Sequence, residues 1–157
     1  MHQLSTKPVS VLVVDDHRDA VEILVEVLRD AGFEAYGTTS PNEALSLAVM
    51  QHPDALISDI AMPVMDGCEL ATLVRSYAST RDIRLIAVSA HSFDFGHYGA
   101  PPGGWDACLR KPLDRAALLD TVRAVLVDPP PEHAKHLGAS RAVVLSAIGP
   151  SAGTSDD

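Results

Sequence analysis

One local pattern recurs along this chain and restricts its fold more than any other feature. A short, β-branched apolar run ends abruptly on a polar side chain, and a stretch of helical period follows. Val9-Ser10-Val11-Leu12-Val13-Val14 stops at Asp15-Asp16, Ala55-Leu56-Ile57-Ser58 at Asp59, and Leu85-Ile86-Ala87-Val88 at Ser89. Ala107-Cys108-Leu109-Arg110 is a weaker run that stops at Lys111, and Phe33 to Thr39 supplies one more strand. Nearly continuous apolar runs of this length read as strands covered on both faces. Between them, Ala20, Leu24, Val27, Leu28 and Ala31 recur at helical spacing, with Gly32 in the place of a C-cap glycine. Ser40-Pro41-Asn42-Glu43 opens the next helix with a hydroxyl cap, a proline at the first helical position and a glutamate to complete a capping box; His52-Pro53 ends it. Leu70, Leu73, Val74 and Tyr77 mark a third helix, and Asp114 caps a last one whose inner face carries Leu118, Val122, Val125 and Leu126. Strands alternating with helices predict an α/β fold: a doubly wound, five-stranded parallel sheet in a three-layer sandwich with right-handed crossovers.

Two regions break the pattern. Residues 91–106 should hold a fourth helix, yet contain Gly96, Gly99, Pro101, Pro102, Gly103 and Gly104. Glycine costs roughly 1 kcal/mol and proline roughly 3 kcal/mol in a helix interior, so that helix is expected to be degenerate. After Val127, Asp128-Pro129-Pro130-Pro131 forms a stiff break, and residues 128–157 read as a linker and a mostly disordered tail rich in Ala, Ser and Gly. Residues 1–8 form an N-terminal extension without a secretory apolar stretch, and no run is long enough to span a bilayer, so a cytoplasmic protein without membrane insertion is expected. With 157 residues, 46% of them apolar, the chain suits one domain with a sizeable core. Cys68 and Cys108 lie far apart and read as buried free thiols rather than a disulfide or zinc site. A formal charge of -9 disfavours direct binding to nucleic acid and fits a chain that meets proteins or a cation.

In an open parallel sheet, ligands gather at the carboxyl ends of the strands. There the pattern places Asp15, Asp16, Asp59, Ser89 and Lys111. Clustered carboxylates repel one another, and an all-oxygen set suits a hard dication such as Mg²⁺, which also accepts a phosphate oxygen. One carboxylate can then attack a phosphoryl group and become an acyl phosphate, with Lys111 and the Ser89 hydroxyl as donors to its oxygens.

The stretches Val11-Leu12-Val13-Val14-Asp15-Asp16, Asp59-Ile60-Ala61-Met62-Pro63-Val64-Met65-Asp66-Gly67, Val88-Ser89-Ala90 and Lys111-Pro112 together resemble the receiver domain of bacterial two-component response regulators, of the single-domain chemotaxis type. The resemblance covers residues 9–127. It implies a flavodoxin-like sheet of order 2-1-3-4-5, with Asp59 as phosphoacceptor and Asp15, Asp16, Asp59 and the Ala61 backbone carbonyl around Mg²⁺. It further implies Ser89 as switch hydroxyl, Lys111 as phosphate partner and a cis Lys111-Pro112 bond. Ala90, His91 and Pro112 flank this site. The family's switch aromatic is replaced by Cys108. The expected function is a stand-alone phospho-switch rather than an enzyme. It would be loaded by a sensor histidine kinase or a histidine phosphotransfer protein and would regulate an effector protein by contact. A relay that passes phosphate to a phosphotransfer protein, and a receiver-like scaffold that is never phosphorylated, are the alternatives.

Plainer readings stand beside these. Asp15-Asp16 alone would cap a helix, and Lys111 alone would be a solvated lysine. Cys108 reads first as a small buried residue, and His91 as a solvated loop histidine. Phe93, Phe95, Tyr98 and Trp105 read first as packing onto the sheet, with a docking surface as the sharper reading. An aspartyl-nucleophile phosphatase needs an acid two residues after its nucleophile, where Asp15 is followed by His17. A flavodoxin-like electron carrier is opposed by Asp15-Asp16-His17-Arg18, which would repel a flavin phosphate.

Overall fold

The computed structural model describes residues 7–90 and 104–127. The expected degenerate fourth helix, His91, Phe93, Phe95, Tyr98 and the 128–157 tail lie outside the described residues, as do residues 1–6 of the extension.

Five parallel strands form one sheet: β1 (Ser10–Val14), β2 (Glu34–Thr38), β3 (Ala55–Asp59), β4 (Arg84–Ser89) and β5 (Ala107–Arg110), in the order β2-β1-β3-β4-β5. Four described helices connect or flank them: α1 (Arg18–Asp30), α2 (Pro41–Gln51), α3 (Gly67–Ser76) and α4 (Arg115–Val127). The expected sheet order is therefore observed. Every residue of β1 and β3 is buried, as continuous apolar runs between two helical layers demand. Alternate residues of each strand enter different cores. Val11, Val13, Ile57 and Val88 meet α1 and α4, whereas Leu12, Val14, Leu56 and Ala87 meet α2 and α3. Trp105 is 1% exposed and joins the second core beside Cys68 and Cys108, so packing is the outcome for that aromatic.

Three local details differ from the pattern in the sequence. The buried face of α1 carries Val21, Leu24, Val25 and Leu28, with Val27 and Ala31 at its margin; Ala20 is only half-buried. The rotation follows from Gly37 in β2. A Cβ there would stand 2.5 Å from Val21 Cγ1 and 3.3 Å from Val25 Cγ2, so the missing side chain lets α1 lean over the sheet edge. At α2, Ser40 caps the Glu43 N–H as expected, but Glu43 turns away from the reciprocal half of the box and accepts from the Thr38 hydroxyl. Tyr77 is the C-cap of α3 and half-exposed instead of lying on its inner face.

Candidate functional site

The carboxyl ends of β1, β3, β4 and β5 lie side by side, and the backbone beyond β3 and β5 is hydrogen-bonded back to β4 and to itself. Gly67 donates to the Ile60 carbonyl (2.8 Å) and Ile60 to the Val88 carbonyl (3.0 Å), which folds the segment after β3 back onto the sheet. That return requires glycine: a Cβ on residue 67 would lie 2.3 Å from the Asp59 carbonyl oxygen. Asp66 then caps α3 in a full capping box with Glu69. Between these fixed points sits a tight turn. Met65 donates to the Pro63 carbonyl (2.8 Å) around Val64, whose φ is 73° and whose side chain is 94% exposed. On the β5 side, Lys111 donates its backbone N–H to the Ser89 carbonyl at 2.8 Å, and the Lys111-Pro112 bond is cis, as the resemblance implied.

The side chains converge accordingly. Oxygen atoms of Asp15, Asp16 and Asp59, with a ring nitrogen of His17, all lie within 4.8 Å of one another. Lys111 Nζ donates to Asp15 Oδ2 at 3.1 Å and stands 3.5 Å from Asp59 Oδ2. Asp15 Oδ1 accepts from the His17 backbone N–H at 2.9 Å and faces His17 Nδ1 at 3.1 Å. Asp16 Oδ1 is shielded from solvent yet accepts no hydrogen bond; His17 Nδ1 is 3.4 Å from it. Neither Asp15 nor Asp16 caps α1 directly, because the N-cap position is His17.

Charge and burial drive the acids apart. Burial works to raise Asp15, but the bonds from His17 and Lys111 hold its carboxyl below the usual range. Burial pushes Asp59 up; Lys111 opposes the shift, and the charges of Asp15 and Asp16 reinforce it. The Lys111 ammonium is partly desolvated, yet Asp15 and Asp59 hold its pKa above the ordinary value. His17 is also raised, first by its bond to Asp15 and then by the charges of Asp16 and Asp15. Three carboxylates thus gather near a single lysine, which pairs with Asp15 and Asp59, and of those two it is Asp59 whose carboxyl is raised.

A family model described as "Response regulator receiver domain" matches residues 11–123. The chain belongs to that family. Receiver domains are regulatory, phospho-accepting domains that work with histidine kinases, phosphotransfer proteins and effectors, and they hold Mg²⁺ in an acidic pocket. The polar-differentiation response regulator DivK of Brucella ovis is 29% identical over 119 residues, spanning 76% of this chain and 97% of that one. The chemotaxis protein CheY4 of Vibrio cholerae superimposes with a TM-score of 0.68 at 29% identity, covering 76% of this chain and all of CheY4. The receiver domain of the Pseudomonas aeruginosa sensor histidine kinase PA1611, solved with magnesium in its active-site cleft, shares the fold with a TM-score of 0.69 at 22% identity, over 78% of this chain and all of that one.

Of the residues singled out in the sequence, Asp15, Asp16, Asp59 and Lys111 come together in one cluster. Ser89 is buried beside it at the end of β4, while Ala61, Ala90 and Pro112 are exposed around its rim. Cys108 is buried behind the site, and burial pushes its thiol up to about 12; burial and the Asp66 charge push Cys68 up to about 11. Both are neutral, packed thiols. His17 is the site neighbour that the motifs did not mark, although its place directly after Asp15-Asp16 was a signal in plain view. No described helix is long and apolar enough to cross a membrane.

Proposed function

We propose that Asp59 accepts a phosphoryl group from a histidine kinase or a histidine phosphotransfer protein, in a reaction that needs Mg²⁺, and that the acyl phosphate changes which proteins this chain binds. The observation that carries the reading is the position of Asp59. Its carboxylate stands at the carboxyl end of the central strand, 3.5 Å from the Lys111 ammonium and in reach of two further acids.

The acidic set suits a hard dication on two grounds. Three carboxylates outnumber the one lysine, and the shielded Asp16 Oδ1 lacks a hydrogen bond that a cation would replace. Asp15, Asp16 and Asp59 would hold the ion, with the Ala61 carbonyl as a further ligand. A bound Mg²⁺ supplies charge neutralisation between these acids and the incoming phosphoryl oxygens. This chain's own residues do the rest. An Asp59 oxygen attacks phosphorus; the bond to the donor nitrogen breaks, and its electron pair leaves with the imidazole. Lys111, released from part of its pairing with Asp59, turns its ammonium to a phosphoryl oxygen. The Ser89 hydroxyl, at the end of the neighbouring strand, would donate to another. Asp15, held ionised by His17 and Lys111, orients the lysine throughout.

Intact mass after incubation with acetyl phosphate tests this reading. A gain of one phosphoryl group is expected with Mg²⁺, none with chelator and none in Asp59→Asn. A gain that persists in Asp59→Asn would move the acceptor elsewhere. The Lys111→Ala variant should retain the fold and lose most of the response.

A further inference from the structure

We infer that His17 is a nitrogen ligand of the same metal centre, and that it turns the site's preference from Mg²⁺ towards borderline first-row dications such as Mn²⁺ and Co²⁺. The inference rests on the metal site proposed above and adds a donor of a different chemical kind to it.

The geometry is that of neighbouring ligands. Nδ1 of His17 is 3.1 Å from Asp15 Oδ1 and 3.4 Å from Asp16 Oδ1. Donors in cis positions around an octahedral ion with bonds of about 2.1 Å stand about 3.0 Å apart, and trans donors about 4.2 Å apart. The two short distances are those of cis neighbours, and the four side chains lie within 4.8 Å of one another, so a contraction of about 0.6 Å would bring the widest pair to the trans span. To serve in this way, His17 Nδ1 exchanges its contact with Asp15 Oδ1 for the ion. Its backbone is fixed at the N-cap of α1 with φ -100° and ψ 116°, but its side chain makes no capping bond. The imidazole is 71% exposed, so a small rotation onto an ion sacrifices little packing. Asp16 Oδ1, shielded and without a hydrogen bond, lies 3.4 Å from the same ring nitrogen.

Ligand chemistry supplies the direction of the selectivity. Carboxylates and carbonyls suit Mg²⁺, whereas an added imidazole favours the first-row transition ions, whose affinities rise along the series from Mn²⁺ to Cu²⁺. Mg²⁺ gains little from the nitrogen and keeps water in that position. The chain would then remain loaded where Mg²⁺ is scarce and Mn²⁺ is present.

Electron spin-echo spectroscopy of Mn²⁺ bound to the full chain is the direct test, alongside titrations of Mn²⁺ and Mg²⁺ into wild type and His17→Ala. The expected result is imidazole nitrogen modulation in wild type that vanishes in His17→Ala. Mn²⁺ affinity should fall about tenfold in the variant, while that for Mg²⁺ changes by less than about twofold. Bound Mn²⁺ without nitrogen modulation overturns the inference and leaves the acidic metal site standing. Tighter binding of both ions by His17→Ala also overturns it, because that marks a cationic histidine that competes with metal. Failure of wild type to bind either ion removes the metal site itself.

Discussion

Two charged clusters sit at opposite kinds of place in this molecule. Arg75 and Asp106 form an ion pair of 2.9 Å with side chains 3% and 1% exposed. Arg75 also donates to the carbonyls of Arg81, Ile83 and Gly104, while Asp106 accepts from Leu85 as well. Charge is balanced one to one, and only Arg75 Nε is left without a partner in the group. The pair ties the end of α3 to the starts of β4 and β5. At the other end of the sheet, three acids face one lysine, and a shielded carboxylate oxygen waits without a hydrogen bond. Saturation makes the first cluster a clamp. Deficit makes the second one a site, because unmet electrostatic demand can be answered by a ligand. Burial of charge alone does not separate scaffold from function; the balance of partners does.

The largest expected effect comes from breaking the balanced cluster. Arg75→Met leaves Asp106 buried and uncompensated, and should lower the unfolding free energy in urea by about 3–5 kcal/mol. The double replacement Arg75→Met with Asp106→Leu should recover much of that loss. If the single variant unfolds like wild type, the clamp has no such role. A second, smaller loss is expected at the site end. Gly67→Ala pushes a methyl against the Asp59 carbonyl and should cost about 1–3 kcal/mol, with a matching loss of acetyl-phosphate labelling.

The remaining predictions have the opposite sign and sharpen the contrast. Val64 holds a left-handed φ that costs a residue with a side chain about 1–2 kcal/mol, and glycine's looser unfolded chain offsets part of the relief, so Val64→Gly should raise the unfolding free energy by up to about 1 kcal/mol. Removing a site charge should also stabilise the metal-free chain. The Asp59 pKa is raised in the folded state, so its favourable contribution is complete below the ordinary value of 3.8 and is lost as pH rises through the folded one. At neutral pH the ionised carboxylate is therefore a burden. Asp59→Asn should be more stable than wild type there, with the gap closing on acidification; a gap independent of pH would place the strain elsewhere.

The two clusters were not equally readable. Asp15, Asp16, Asp59, Ser89 and Lys111 each follow an apolar run, and parallel strands carry their ends to one edge, so linear order projected directly into space. Arg75 and Asp106 are 31 positions apart, and neither ends a strand. An arginine in the last turn of an amphipathic helix reads as solvated, and only the tertiary fold shows it turned inward. The rotation of α1 was hidden for a related reason: its cause is an absent side chain at Gly37 on another element. Glu43 had two acceptable partners, and the sequence named the nearer one, whereas the Thr38 hydroxyl at the end of β2 won. His17 lay beside the acids all along. Its neighbours drew the eye to oxygen chemistry, and the contribution of a nitrogen needed distances.

The bond from the Lys111 N–H to the Ser89 carbonyl extends the β4–β5 ladder by one rung beyond the strands. Ser89 and Lys111 are therefore coupled through their backbones before any phosphate arrives. If Asp59 is phosphorylated as proposed, a phosphoryl group that draws one of them towards Asp59 would pull on the other through that rung. The two contacts would then behave as one latch, which closes or stays open and has little room for a half-set position. On the proposed reading, such a latch would favour a message of yes or no over a graded one.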